Sequence, residues 1–200
     1  MTAINTIADI LESHPALFRD LQSDDKLRKS IVKMFSKGIK NQQASDVQMA
    51  ATVALCKLML VNIIQDQALL KLAVISFFDP ASKSNTGMRQ ALSYSLPVFS
   101  FTKKDNMEQM AAIAEGVIHT VIELNDQADD DEELVNITNL GNVLVDWTDA
   151  RKLVISDDTD NNWSEAGEKN AKVVNTDAHL LLAESLLERA MHHSCSSKSA

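Results

Sequence analysis

The chain has 200 residues, enough to bury a sizeable core, and a formal net charge of −9, which excludes a protein that coats nucleic acid with its whole surface. Only 4% of its residues are aromatic, and with five Gly and three Pro it favours helices over sheets. The two Cys residues lie far apart and no secretory signal is recognisable, so we expect a reducing compartment; no apolar stretch is long enough to predict a membrane span.

Amphipathic helices are predicted from the first residues onward. Thr2 to Ser13 carries apolar side chains at helical spacing and is followed by Pro15. A second helix is predicted over Asp24 to Lys40. Two pairs of helices follow, and we expect Pro97 to kink or end the helix that contains it, because a proline removes a backbone donor.

A row of lysines marks the second predicted helix. Its members are three or four residues apart: Lys26, Lys29, Lys33, Lys37 and Lys40. At about 100° per residue they fall in one stripe less than a quarter-turn wide, with Leu27, Ile31 and Phe35 on the opposite side. Such a row can contact successive phosphates of double-stranded DNA without reading its sequence. The other explanation is an ordinary solvated helix face, where lysine is common.

The region from Ser45 to Leu124 contains the same pattern twice, about 41 residues apart. Each copy has two amphipathic helices separated by a polar turn, and a shift of 41 places Leu55 on Leu96 and Ala73 on Ala114. A period near 40 built from two helices is the signature of HEAT or armadillo solenoids. Such a unit buries its apolar face only against neighbouring units, so the pattern favours a binding scaffold over an enzyme.

The rest of the chain is predicted to continue the same solenoid. An acidic loop near 126–133 precedes a helix from Leu134 to about Trp147, and a polar loop near 156–170 precedes a last helix over Ala178 to Met191. We therefore predict one HEAT-repeat segment over 1–193 and a disordered tail over 194–200.

A short motif joins the two repeats. It has a double aromatic, an Asp-Pro turn, an Arg at the start of the next helix and a Pro near its end: Phe77, Phe78, Asp79, Pro80, Arg89 and Pro97. We interpret these residues as structural. An Arg at this place in a HEAT repeat commonly bonds an Asp or a carbonyl group in the adjacent repeat, and we expect this role for Arg89.

The motif and its surroundings resemble the HEAT-repeat subunit of condensin that pairs with the kleisin, which is condensin subunit 3 of the CAP-G type. The resemblance covers roughly Ser45 to Leu153 and includes the run from Leu144 to Thr148, although Leu96 stands where the family usually has an aromatic residue. Family members are far longer than 200 residues. The resemblance therefore implies a fragment of a solenoid that acts as a scaffold, in a complex whose ATPase lies on other subunits.

No reactive site is predicted. Glu115, His119 and Glu123 share one helix face, but a lone helix lacks the remaining ligands of a metal site. The run Asp158 to Asn162 begins like an EF-hand loop, yet the required Gly and bidentate Glu positions are taken by other residues. We expect no catalytic residue, metal or cofactor, and a metalloenzyme built on His119 is the only enzymatic alternative.

We therefore predict an all-α fold, an α-solenoid of HEAT-like hairpins, that serves as a non-enzymatic condensin subunit in mitotic chromosome condensation. The partners that the resemblance implies are the kleisin, the SMC ATPase subunits through the complex, and double-stranded DNA, with no membrane and no small-molecule substrate. The expected location is the nucleus and chromosome, and the cytoplasm. The alternative is another HEAT or armadillo scaffold, such as a transport receptor or a phosphatase scaffold.

Overall fold

The computed structural model describes residues 2–16, 25–128, 133–154 and 177–196, and all regular segments in these ranges are helical. The helices are α1 (Thr2–Ser13), α2 (Asp25–Ile39), α3 (Ser45–Leu60), α4 (Gln67–Phe78), α5 (Thr86–Thr102), α6 (Lys104–Gln127), α7 (Ile137–Trp147) and α8 (Ala178–Ser196). Short 3-10 turns follow α4 and α7. The prediction of an all-α fold is confirmed. Within the described ranges no helix combines the length and apolarity that a bilayer crossing requires.

The helices form two layers. In one layer α3 packs between α1 and α5. In the other layer α2, α4, α6 and α8 pack side by side in this order. The helix α7 packs on α5 and α6. An apolar core runs between the layers from α1 to α8. This stacking of helical hairpins is the arrangement of a HEAT-type solenoid.

The 41-residue period is visible in the burial of side chains. Pairs at this separation are buried together: Ala51 with Leu92, Leu55 with Leu96, Leu58 with Phe99, Leu69 with Met110 and Ala73 with Ala114. Leu72 and Ile75, which the amphipathic pattern also places in the core, are only half-buried. The apolar side chains of α4 that are fully buried are instead Leu69, Leu70, Ala73 and Val74.

Several predicted boundaries differ from the structure. Pro97 does not end its helix, since α5 continues to Thr102. The buried Phe99 holds its last turns against the core. Lys103 alone, with extended backbone, separates α5 from α6. The last helix continues to Ser196, so the predicted tail starts inside a helix. The predicted polar loop 156–170, residues 129–132 of the predicted acidic loop, and 197–200 lie outside the described residues.

The helices α2 and α3 approach each other closely at Gly38. A Cβ atom built on Gly38 would lie 2.6 Å from the Cβ of Ala51, a fully buried residue of α3. Both atoms are fixed to backbone, so neither can rotate away. The small residue at position 38 therefore sets the distance between the helix that carries the lysines and the rest of the solenoid.

We expect Gly38→Ala to lower the free energy of unfolding, because overpacking costs about 1–3 kcal/mol and the higher helix propensity of Ala returns only about 1 kcal/mol. Gly141→Ala is the matched control, since nothing lies within 4 Å of a Cβ at Gly141. Urea denaturation should show the control as stable as the parent chain or more so. Adding Ala51→Gly to Gly38→Ala should restore part of the loss. A Gly38→Ala chain as stable as the control would contradict the close approach.

Candidate nucleic-acid interface

The lysine row lies on the outer side of α2. All five side chains are exposed: Lys26, Lys29, Lys33, Lys37 and Lys40. Lys40 follows the last residue of the helix, but its backbone N–H still donates to the carbonyl oxygen of Ser36 at 3.1 Å, so it keeps the helical direction. At a rise of 1.5 Å per residue the row is about 21 Å long. At about 3.4 Å per base pair it matches about six base pairs of duplex.

The position of the row follows from what α2 buries. Ile31, Phe35 and Ile39 face the core and are at most 7% exposed, which leaves the lysine side to solvent. Leu27, also predicted opposite the lysines, is 46% exposed near the start of the helix. The end of α2 is fixed by Gln48, whose amide donates to the carbonyl oxygen of Ile39 at 2.9 Å.

The structure brings two of the lysines, Lys33 and Lys37, to an open groove between α2 and its neighbours. Apolar and polar residues complete the lining: Ile4, Ser30, Met34, Gly38, Asn41 and Val47. The groove offers cationic donors to an anion such as phosphate and contains no nucleophile with an adjacent base. Lys37 also lies in the last turn of α2, where positive charge stabilises the helix dipole. Phosphate binding and helix stabilisation are therefore both available to this residue.

Three of the motif residues, Phe77, Phe78 and Arg89, form a structural corner with Trp147. The rings of Phe77 and Phe78 meet edge to face at 5.0 Å, and both lie near Trp147 of α7, at 6.2 and 6.4 Å. Arg89 stacks over the ring of Phe77 at 5.5 Å and donates to the hydroxyl oxygen of Ser82 at 3.4 Å. These contacts replace the bond to an Asp or a carbonyl group that we expected for Arg89. The corner joins the first repeat to α7.

Asp79 and Pro80 end α4 and start the turn that follows. The Asp79 carboxylate accepts a hydrogen bond from the backbone N–H of Ala81 at 2.9 Å, and a weaker one from the amide of Gln42 at 3.4 Å. Pro80 is the first residue of the 3-10 turn, a position where a backbone N–H has no helical partner to lose. These two residues therefore position the linker.

A buried pair of amides, which the sequence did not reveal, joins the first repeat to the second. Asn85 is 6% exposed and donates to the side-chain oxygen of Gln48 at 2.9 Å and to the carbonyl oxygen of Ser45 at 3.0 Å. Its own oxygen accepts from the backbone N–H of Met88 at 3.2 Å and so caps α5. An Asn before a helix predicts the cap. The bonds to α3 depend on the tertiary fold.

A second polar contact closes the end of α5. The carbonyl oxygen of Phe99 accepts a hydrogen bond from the amide of Asn106 at 3.1 Å, which satisfies an orphan acceptor of the last turn. The hydroxyl of Ser100 donates to the carbonyl oxygen of Trp147 at the end of α7. The oxygen of Asn106 is buried without a hydrogen-bond partner. These contacts tie three helices together at one edge.

The pKa shifts of Asp149 and Cys56, which lie outside the lysine row, have structural causes. The guanidinium and backbone N–H of Arg151 donate to the Asp149 carboxylate and lower its pKa to about 2. Burial raises the pKa of the Cys56 thiol to about 11, so this thiol stays protonated and unreactive. His119 pairs with Glu123 at 3.2 Å. Among the described residues, no group of three or more His, Cys, Asp or Glu side chains is arranged to hold a metal ion.

Comparison with known proteins identifies close similarity to one family. A family model described as nuclear condensing complex subunits, C-term domain, matches residues 1–200. The chain is 27% identical over 153 residues to condensin complex subunit 3 of Schizosaccharomyces pombe and 29% identical over 160 residues to that of Saccharomyces cerevisiae. Each match covers 76% of this chain but only 17% and 15% of the respective relative, so the chain spans about a sixth of their length.

A solved structure shows the same arrangement of helices. The crystal structure of the S. pombe condensin Cnd3-Cnd2 subcomplex contains a chain that matches with a TM-score of 0.72 and 26% sequence identity. The match covers 94% of this chain and 22% of the solved one. The helical hairpins described above are therefore shared with a condensin subunit that has been crystallised with a second subunit.

We expect Asn85→Asp to destabilise the chain by about 2 kcal/mol or more. The substitution keeps the cap on α5 but removes both amide donors and places a carboxylate beside the buried oxygen of Gln48; one buried unsatisfied group costs about 1–3 kcal/mol. The measurement is the urea midpoint at neutral pH.

The control for this substitution is Asn136→Asp. Asn136 caps the exposed start of α7 with a bond of 2.9 Å from the N–H of Asn139. Asp is an equally good cap there and favours the helix dipole, so we expect no loss. Equal effects of the two substitutions would show that the Asn85 contacts to α3 do not matter.

Proposed function

This chain belongs to the family of nuclear condensing complex subunits, whose C-terminal domain it matches over residues 1–200, and on that basis we propose that it is a non-enzymatic HEAT-repeat scaffold in a condensin complex. The proposal assigns it to mitotic chromosome condensation, in the nucleus and on chromosomes, with a cytoplasmic pool. The fold alone would suit a transport receptor or a phosphatase scaffold equally. The family match favours condensin over both.

The proposed protein partner is the kleisin subunit, with the SMC ATPase subunits reached through the complex. The observation that carries this part is the likeness of 94% of the chain to a condensin subunit solved together with Cnd2. A solenoid suits such a role because stacked hairpins give a long surface to a partner. No chemistry is assigned to the chain itself, and the ATPase activity of the complex is attributed to the other subunits.

The proposed second partner is double-stranded DNA, bound through the lysine row of α2. Five exposed cations lie on one side of one helix in a chain whose net charge is −9, so the positive charge is local. Each lysine that neutralises a phosphate releases condensed counterions, which favours binding at low salt. The contacts would be to the backbone of the duplex, so binding would not depend on base sequence.

A pull-down tests the protein partner. The full 200-residue chain, immobilised, should capture a purified kleisin subunit at a salt concentration that abolishes non-specific ionic binding. If the resin that carries the chain retains no more kleisin than resin without it, the proposed partner is wrong. A scaffold of the transport or phosphatase kind should not capture it.

Reversing three charges of the row tests the DNA partner. We expect the triple variant Lys29→Glu, Lys33→Glu and Lys37→Glu to bind all duplex sequences more weakly, and the slope of log affinity against log salt to flatten by about 0.9 for each lost phosphate contact. Fluorescence anisotropy with two unrelated duplexes over a salt series measures both quantities. Folding should survive because all three side chains are exposed.

The matched control carries Lys57→Glu, Lys103→Glu and Lys104→Glu. These lysines are exposed on other parts of the solenoid, and the control has the same net charge as the first variant. We expect its salt slope to equal that of the parent chain. If both triple variants lose affinity equally, the effect comes from net charge and the row is only a solvated helix face.

A further inference from the structure

The C-terminal ends of α4 and α6 meet at a cavity with a volume of about 160 Å³. A single buried water requires only about 10–15 Å³, so the cavity has room for a side chain. Residues from the end of α4, from the end of α6 and from the segment before α7 line it: Ile75, Asp79, Pro80, Val121, Leu124, Asn125, Ala128, Glu133 and Val135. We name this surface the α4–α6 groove.

The wall of the groove is apolar and partly open to solvent. Leu124 is 48% exposed although it lines the groove. Single exposed leucines are common on protein surfaces. Leu124 differs because it borders a cavity together with Ile75, Val121 and Val135, so an apolar group that enters the cavity would cover it.

The groove is preformed. The amide of Asn125 donates to the carbonyl oxygen of Val135 at 2.9 Å, and its oxygen accepts from the backbone N–H of the same residue at 3.0 Å. An ion pair between Lys83 and Glu133 connects the same wall to the turn after α4. Both sides are thus held in place without a ligand, which lowers the entropy lost on binding.

The charge around the groove is negative. The ends of α4 and α6 each present carbonyl groups equivalent to about half a negative charge. Asp79 adds a carboxylate, Glu133 is a carboxylate already paired with Lys83, and none of the described residues that line the groove is basic. The groove therefore repels phosphate and favours a cation beside an apolar group.

We propose that the α4–α6 groove binds a short segment of a protein partner in which an apolar side chain is flanked by lysine or arginine. The apolar side chain would enter the cavity between Leu124 and Val135, and the cation would lie at the helix ends beside Asp79. The inference rests on the proposed scaffold function, since it gives the protein-binding role a specific surface. It also separates that surface from the lysine row, which has the opposite charge.

The probes are fluorescein-labelled peptides of twelve residues in a Gly/Ser host. One carries a Leu flanked by two Arg on each side, a second replaces the Leu by Ala, and a third replaces the Arg by Glu. Anisotropy with the full chain should show saturable binding of the first peptide, and at least ten-fold weaker binding of the other two. Methyl NMR should place the shift changes at Val121, Leu124 and Val135.

The variant Leu124→Gln should weaken binding of the first peptide at least ten-fold, and Leu187→Gln should leave it unchanged. Leu187 is 62% exposed on α8 and serves as a matched exposed leucine outside the groove, so both variants should keep the thermal midpoint of the parent chain. Equal binding of the Arg and Glu peptides, or an unchanged affinity in Leu124→Gln, would overturn the proposal. So would the absence of saturable binding.

The two proposals fail in different ways. A chain that captures the kleisin but binds no Arg-flanked peptide overturns the groove and leaves the proposed function standing. A chain that binds the peptide through Leu124 but captures no kleisin supports the groove and overturns the kleisin as its partner.

Discussion

The structure depends on one constraint: a helical hairpin of this length buries its apolar face only by stacking on another hairpin. The helix α3 shows this most clearly, since it packs against α1, α2 and α5 and contributes the fully buried Leu55 and Leu58. Because the core is a strip between two layers, the outer helix faces and the helix ends stay available. Both surfaces that we propose as binding sites lie in these positions.

Apolar stacking alone does not fix how one hairpin is placed on the next, because leucine and alanine contacts tolerate small shifts. Buried hydrogen bonds from amide side chains, which we call polar joints, provide that placement. Asn85 reaches Gln48 in the preceding repeat, and Asn106 reaches the carbonyl group of Phe99 across the turn between α5 and α6. A buried amide without its partner is strongly destabilising, so each joint penalises a slipped arrangement. The corner of Phe77, Arg89 and Trp147 has the same effect through aromatic contacts.

The two candidate surfaces have opposite charge and different geometry. The lysine row is a linear array on a helix side, which suits the regular phosphates of a duplex. The α4–α6 groove is a small apolar cavity at negative helix ends, which suits one side chain and a neighbouring cation. An acidic chain can therefore hold nucleic acid on one element and a protein segment on another, because each contact is decided by local charge and not by the net value of −9.

The sequence by itself determined the features that depend on helical periodicity. The all-α fold, the period of 41 and the alignment of the five lysines follow from residue spacing along single helices, which local geometry fixes. Whether those lysines contact DNA stays a prediction. The tertiary structure decided which helix faces meet: Leu72 remains half-buried, α5 continues through Pro97, and Arg89 stacks on Phe77. It also brought Ile75 and Val121 to one cavity. Residues so far apart in the chain meet only through the angles and distances between helices, and no local pattern encodes these.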